Sequence, residues 1–484
     1  MVLTVIAKFI AFGRELAIAA YFGSDSNTDS FFIAYGLIGN ILYGLTTAFA
    51  TAFLPIYIEE KEKNGRVCSN SFAGQSIIFF VCVAIIFSVA IFSFAELLTS
   101  AIAPSASVSQ SAQIALFIRI LTAGLIFSLL NSFSCSLLDA ERIFGNTAFS
   151  GIIYSLVVVL SAVFFSQSYG IMALVIAVAG ANLIQFLFSG IRSKKFITLA
   201  LPRKNDSRLW KMLLISMPIL LSNTTVEINQ IINRALAMKL GKGCVSAFSY
   251  ASTLAVFVTS SLVYSLVTIF FTEFSKAACA DNAAERIPKL VRTALDVLLF
   301  VLVPVTCITF FFSEDIVTLA LKRGKFTFDD VVMTASGLRW MAIGFLAIVV
   351  KALFTKCFIA LKDTMTPMIV SVTEVALNIG LVFLLYRKFQ VAGIAAALAF
   401  ANIYAALLLM ALLHRKAGIM KSSFSAKYLA KFCGLTFVAV LILYWLRGVM
   451  CSAVPILRFT CASITAFLCF LPEYLRLLHK FRRR

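Results

Sequence analysis

Long apolar runs separated by short polar stretches recur from one end of the chain to the other. A helix needs about 20 apolar residues to cross a bilayer, and these runs have that length. The pattern predicts fourteen helices, near 2–22, 30–57, 71–98, 111–138, 147–167, 169–191, 212–238, 245–272, 290–313, 331–360, 366–386, 393–413, 427–447 and 455–478. The fold class that follows is an all-α polytopic membrane protein. The first run carries Lys8 and Arg14 and no small-residue cleavage site follows it, so it is expected to be a crossing rather than a cleavable signal peptide.

Composition agrees. Of 484 residues 61% are apolar and 13% charged, against roughly 45–50% and 25% in an average soluble domain. A single core stops growing near about 250–300 residues, so a soluble globule could not hide this excess. The net charge of +20 would suggest nucleic acid in a soluble chain, but the basic residues sit in short segments between apolar runs, which is a topology signal. Nucleic acid is therefore not an expected partner.

Lys and Arg fall unequally on alternate connections, about 25 on the side of the even-to-odd loops and the C-terminal tail and about 8 on the other. Both termini are then cytoplasmic. The main contributors are Arg192, Lys194, Lys195, Arg203, Lys204, Arg208 and Lys211, the 415–427 loop, and Lys480, Arg482, Arg483 and Arg484. These residues also suit anionic lipid headgroups. The acidic run Glu59 to Arg66 is expected to be a solvated connection. The eleven cysteines include no CxxC pair and read as small core residues. His414 and His479 are the only histidines, and a histidine-based catalytic or metal site has almost no material.

An internal repeat is visible. Leu138-Asp139 and Gly170-Ile171 are echoed by Leu361-Lys362 and Gly393-Ile394 at an offset of 223, and Tyr21-Phe22-Gly23 by Lys239-Leu240-Gly241 at about 217. Two parallel six-helix repeats follow, related by an axis along the membrane normal, with two extra C-terminal helices. The expected domains are a six-helix lobe over 1–191, a basic cytoplasmic connector over 192–211, a second six-helix lobe over 212–413, and two additional helices over 427–478. Two such bundles facing one another are a transporter architecture that can rock between inward and outward access.

Charges inside the crossings are functional candidates, because each costs at least about 2.5–3.5 kcal/mol at the bilayer centre. The first half holds Lys8, Arg14 and Glu15 in helix 1, Asp29 at the start of helix 2, and Arg119 in helix 4. Lys8 and Glu15 are seven apart and share a face. A cavity so lined would attract a phosphate or diphosphate, to which the fork of an arginine is suited. Snorkelling of Lys8 to the interface, and an ion pair of Arg14 with Glu15 or Asp29, are the structural alternatives. In the second half Glu227 and Arg234 lie in helix 7, Arg339, Lys351 and Lys356 in helix 10, and Glu374 with Asn378 in helix 11. Glu374 and Asn378 share a face, and with Glu227 they form a candidate oxygen-ligand site for Na⁺ or a proton. A salt bridge from Glu374 or Glu227 to Arg234 or Lys351 is the alternative.

With these residues in view, the chain resembles the MurJ (MviN) lipid II flippases of the multidrug/oligosaccharidyl-lipid/polysaccharide exporter superfamily. The matching stretches are Phe12-Gly13-Arg14-Glu15, Tyr21-Phe22-Gly23, Thr28-Asp29-Ser30-Phe31-Phe32 and Phe53-Leu54-Pro55-Ile56-Tyr57. Arg323-Gly324-Lys325-Phe326 resembles the family's periplasmic R-G-x-F turn. Leu361-Lys362-Asp363-Thr364-Met365-Thr366-Pro367-Met368 resembles its L-x-D-T-x-T-P-M loop, followed by Val375-Ala376-Leu377-Asn378-Ile379. The resemblance implies a fourteen-helix flippase of the bacterial plasma membrane that moves an undecaprenyl-linked peptidoglycan precursor outward through a cationic cavity. Its last two helices would form a groove for the lipid tail. It also implies transport driven by membrane potential, with a Na⁺ site in the second half in some members; no organic cofactor, Na⁺ or H⁺ as coupling ion, a monomer, and cell-wall synthesis proteins as partners are the accompanying expectations. Glu227, Glu374 and Asn378 lie close to where the family's Na⁺ site would fall.

The departures lie in the cavity. The family's helix-2 arginine position holds Leu42, and helix 8 reads Tyr250-Ala251-Ser252-Thr253-Leu254-Ala255-Val256, with no basic residue at Thr253 and no acidic one at Val256. An exporter of another polyprenyl-linked oligosaccharide, of the O-antigen or capsule type, is the nearest rival reading. A drug/cation antiporter would favour acidic cavity residues and twelve helices. A polytopic glycosyltransferase would need an external carboxylate cluster that these short loops lack.

Overall fold

The computed structural model describes residues 2–198, 200, 207–278, 283–361, 363–417, 426–450 and 454–482. Arg203, Lys204, Lys362, Arg483, Arg484, Cys279, Cys451 and residues 418–425 of the basic 415–427 loop lie outside the described residues, as do the side chains of Leu42, Cys433, Lys480 and Arg482. All regular structure among the described residues is helical: α1 Val2–Phe22, α2 Ser26–Ser93, α3 Ala95–Ile102, α4 Val108–Ala140, α5 Asn146–Tyr169, α6 Ile171–Ser193, α7 Ser207–Met238, α8 Cys244–Ala278, α9 Ala283–Phe311, α10 Ser313–Leu321, α11 Phe328–Ile343, α12 Phe345–Ala360, α13 Met365–Ala417, α14 Ala426–Val449 and α15 Pro455–Arg482. A short 3₁₀ turn, Lys194–Phe196, follows α6.

Fourteen segments emerge when α2 is divided at Gly65 and α13 at Gln390, where the backbone leaves helical geometry, and when α3, α10 and α12 are counted with the helices they continue. Six described helices are by themselves long and apolar enough to span a bilayer, seven if α11 and α12, bent by 44°, make one span. α1 has the length, but Lys8, Arg14 and Glu15 fall inside it.

The acidic run at 59–66 departs from expectation, being helical on both sides of the break at Gly65 rather than a loop. Its charges explain this. Lys63 bonds Glu59 one turn away (2.7 Å), and Glu59 and Glu60 also take Lys211 (2.9 Å) and Arg208 (3.2 Å) from α7. Such i,i+4 pairs support a solvated helix.

Two compact units are present, residues 1–246 with 323–326, and 247–322 with 327–484. In the first, α2 packs on α4 and α7, α4 on α6, and α1 on α5. The Arg323–Phe326 turn belongs here because the Lys325 N–H donates to the Ala20 carbonyl at the end of α1 (2.8 Å), satisfying a carbonyl that the helix cannot. In the second unit α12 packs on α13, and α14 and α15 pack on α9 through Phe300, Val303, Leu443, Ala462 and Phe470. Arg458 adds an ion pair to Asp315 at 3.4 Å.

The internal geometry of the two halves repeats at offsets of 218 and then 220 residues. The helix breaks at Phe94 and Phe312 have nearly equal backbone angles (φ −97°, ψ 16° and φ −113°, ψ 26°). Each is followed by a glutamate that pairs with an arginine one helix later, Glu96 with Arg119 and Glu314 with Arg339, both at 2.9 Å. Capping boxes start α4 at Ser107 and α11 at Thr327. Gly124 lies against the backbone of Ala179, and Gly344 against that of Ala399. The break at Gly170 (φ 55°, ψ −142°) has its counterpart at Gln390 (φ 51°, ψ −132°), not at Gly393 as the sequence echo suggested. The repeat is one of backbone conformation, and residue identity at the break has drifted.

Candidate functional site

In the first unit, α1, α2, α5 and α6 build a polar site. The Arg14 guanidinium bonds Glu15 Oε1 through Nε (3.1 Å) and Nη2 (2.5 Å) and lies over the Tyr154 ring, 5.1 Å from its centroid. Both bonds end on one carboxylate oxygen, so Nη1 remains to meet a further acceptor. Side-chain exposures of 17% for Arg14 and 11% for Glu15 place the pair away from bulk solvent, where charge-assisted bonds and cation–π contacts are strongest. Tyr35, stacked on Phe31 at 5.3 Å, shares one cavity wall with Tyr154. Tyr35, Thr46, Ser128, Tyr154, Asn182 and Gln185 line a cavity of about 300 Å³. Behind it, Asn131 Oδ1 accepts from the hydroxyls of Ser150 (3.0 Å) and Ser189 (2.8 Å).

The other expected binding residues are placed elsewhere. Lys8 is half-buried on α1, two turns before Glu15. Asp29 caps α8: its carboxylate accepts from the N–H groups of Gly243 (2.6 Å) and Ser246 (2.7 Å) and from the Ser246 hydroxyl. With both oxygens used and 2% of the residue exposed, it ties α2 to α8 rather than to Arg14. Arg119 pairs with Glu96 and lies over the Phe92 ring at 5.7 Å.

The candidate ion ligands are divided between the units. Glu227 stands on α7 of the first, while Glu374 and Asn378 share α13 in the second. Lys351 Nζ reaches Glu374 Oε1 and Asn402 Oδ1, each at 2.7 Å, so an ammonium already sits beside the carboxylate. Asn378 is fully buried. Among the described residues no group of three or more His, Cys, Asp or Glu could hold a metal ion.

Just past the end of α4, Glu141 accepts from the hydroxyl of Tyr57, the last residue of the F-L-P-I-Y stretch (2.9 Å), and from Lys61 (2.7 Å). Burial would push the Glu141 carboxyl up, but the bonds from Lys61 and Tyr57 outweigh it and hold it below its usual range. Sequence reasoning passed over Tyr35 and Tyr154, since an uncharged aromatic in an apolar run carries no signal. The 220-residue register does single out Tyr154, which occupies the place of Glu374.

A family profile described as "Lipid II flippase MurJ" matches residues 18–461. A probable lipid II flippase MurJ of Buchnera aphidicola (subsp. Acyrthosiphon pisum) is 29% identical over 409 residues, covering 82% of this chain and 79% of that protein. A lipid II flippase MurJ of Burkholderia cenocepacia is 26% identical over 381 residues, covering 76% and 73%. Among solved structures, a lipid II flippase MurJ in an inward closed conformation matches with a TM-score of 0.83 at 20% identity, covering 99% of this chain and 98% of that one. An inward-facing multidrug-resistance MATE transporter of the MOP superfamily matches at 0.72 and 12%, covering 87% and 99%. The chain shares the fold of these two solved transporters, and it belongs to the lipid II flippase MurJ family of membrane transporters.

Proposed function

We propose that this chain moves lipid II, an undecaprenyl-diphosphate-linked peptidoglycan precursor, from the cytoplasmic to the outer leaflet of the bacterial plasma membrane by alternating access. Both termini are cytoplasmic in this reading, as the lysine and arginine asymmetry requires, and the protein works as a monomer alongside cell-wall synthesis proteins. The observation that carries the reading is the family match over residues 18–461. The first-unit site supports it: Arg14 bonds Glu15 through Nε and Nη2 and lies over Tyr154 of the cavity wall, and a diphosphate is an acceptor suited to the remaining Nη1 of a guanidinium fork. Lys8, Glu15, Asp29 and Arg119 complete the proposed binding set, Asp29 and Arg119 by holding the helices in place. Exposed Phe437, Leu441, Tyr444, Ile464 and Phe467 on α14 and α15 suit a groove for the polyprenyl tail.

Coupling to Na⁺ or to protons would run through Glu227 in the first unit or Glu374 and Asn378 in the second. At Glu374 an entering cation would have to displace the Lys351 ammonium. Wild-type flipping by Glu374→Gln, with Na⁺ present or replaced by choline, removes Glu374 from that role.

The test is a host depleted of its own lipid II flippase. Expression of this chain is expected to restore growth and outer-leaflet lipid II, and Arg14→Ala to lower flipping roughly tenfold or more at normal membrane insertion. Normal insertion without rescue would instead favour another polyprenyl-linked saccharide.

A further inference from the structure

Arg234 holds two buried guanidinium nitrogens with no hydrogen-bond partner. It stands on α7 one turn before the helix ends, and its side chain leans toward the helix N-terminus, as long helical side chains do. The guanidinium lies flat against α2 at Gly36, where any side chain atom would collide with it. Nε and Nη1 are buried and neither has a hydrogen-bond partner. The surrounding pocket is lined by Ile33, Leu37, Ile102, Ile231 and Ala235, none of which offers a side-chain acceptor. Tyr35 is in electrostatic reach of both Arg234 and Arg14, and Glu227, seven residues earlier on α7, acts on Arg234 in the same way.

A buried guanidinium with unmade hydrogen bonds is among the most unfavourable arrangements a protein interior can hold. It persists where a ligand or a second conformational state supplies the missing acceptor. The space beside Arg234 is small, about 10 Å³, enough for one water and far too little for a phosphate. The acceptor must therefore arrive in a state in which α2 and α7 part at Gly36. Gly36 itself fits this: without a side chain it lets the guanidinium lie against the helix while the acceptor is away.

We propose that Arg234 is a second anion-binding residue of the transport cycle, taking a phosphate group of the substrate through Nε and Nη1 when α2 and α7 separate. This rests on the flippase reading above and deepens it. Arg14 is bonded to Glu15 in this structure. Arg234 is unsatisfied until the anion comes, so the anion binds the separated state better than the closed one and shifts the population toward it.

The test is binding to full-length protein in nanodiscs, with undecaprenyl diphosphate as probe and phosphatidylglycerol and inorganic diphosphate as the other arms. Arg234→Gln is expected to weaken undecaprenyl diphosphate at least tenfold, with thermal stability unchanged or raised because an orphaned charge is gone. Arg234→Lys should recover part of the affinity. Equal losses for the lipid-linked and inorganic probes place the contact on the phosphates alone, and a loss confined to the lipid-linked probe places it on the substrate in its membrane setting. A loss seen with phosphatidylglycerol alone overturns the proposal in favour of an ordinary lipid headgroup. Wild-type affinity for undecaprenyl diphosphate in Arg234→Gln overturns it too, and a drop in thermal stability at unchanged affinity would show a structural role instead. Failure of the parent reading looks different: the wild-type protein itself would not flip lipid II.

Discussion

Two places related by the 220-residue repeat have the same framework and opposite chemistry. In the first unit Tyr154 and Asn182 line an open polar cavity with Arg14 over Tyr154, and Asn131 stands behind it, bonded to Ser150 and Ser189. In the second unit their counterparts are Lys351, Glu374 and Asn402, and there the ammonium is bonded to both neighbours at 2.7 Å. The asparagines at 182 and 402 even make the same bond, Nδ2 to the carbonyl four residues earlier (3.0 and 2.8 Å). One copy has spent its polar positions on an internal ion pair, while the other leaves Tyr154 and Asn182 facing empty volume. Duplication thus supplies the scaffold twice, and a few side chains decide which copy stays available to a ligand.

The most severe way to break this contrast is to install the second unit's pair in the first, Asn131→Lys with Tyr154→Glu. If the cavity is used in transport, flipping should fall more than about tenfold in the depletion assay while the protein still inserts, because an internal pair replaces the acceptor-seeking surface. Retained flipping would show that the cavity plays no part.

Next in size is Lys351→Met, which strands Glu374 in a part-buried site. Its expected cost is about 2–3 kcal/mol, read as a lower unfolding temperature in detergent, and Lys351→Met with Glu374→Gln should recover most of it. No recovery would mean that Lys351 acts through packing rather than through its charge.

The matched helix breaks give a smaller effect. Gln390 holds φ 51°, a backbone region that a side chain disfavours, where the first unit has glycine. Gln390→Gly should stabilise by about 1 kcal/mol, and Gly170→Gln should destabilise by a similar amount; equal melting of all three proteins would count against strain at the break.

The smallest effect is titration of Asp363, in the connection before α13. The Lys416 hydrogen bond, then the Thr366 N–H, hold its carboxyl at about 2, below its ordinary 3.8. A carboxyl whose pKa is lowered by folding contributes stability above its unfolded pKa and loses it as pH falls through the folded one. Unfolding temperature should therefore decline between pH 4 and pH 2 more steeply in the wild type than in Asp363→Asn. Parallel curves would show that the pair is broken in solution.

The crossings were legible because the bilayer imposes a one-dimensional rule on apolar length, and a run such as 147–167 can be measured without knowing its neighbours. Helix 59–66 was missed because its charges give no apolar signal, and its stabilising pairs with Arg208 and Lys211 lie about 150 residues away. Echoes at 217 and 223 bracketed the true register. They aligned glycines, whereas folding preserves the turn itself, and the turn at Gln390 no longer carries one.

By itself the sequence determined that the chain is a polytopic helical membrane protein, that its halves are duplicated, and that charges at Arg14, Glu15, Arg234, Lys351 and Glu374 lie within helices. It could not determine which charges meet. Arg14 had Glu15 and Asp29 as equal candidates along the chain, and Lys351 had Glu227 and Glu374. Tertiary structure decided both. Asp29 is consumed by the start of α8, Glu374 comes within 2.7 Å of Lys351, and Arg234 is left against Gly36 with no acceptor for Nε or Nη1. The physical reason is that apolar length is a property of a segment, whereas pairing depends on directional bonds a few ångströms long between helices whose packing the segment does not encode.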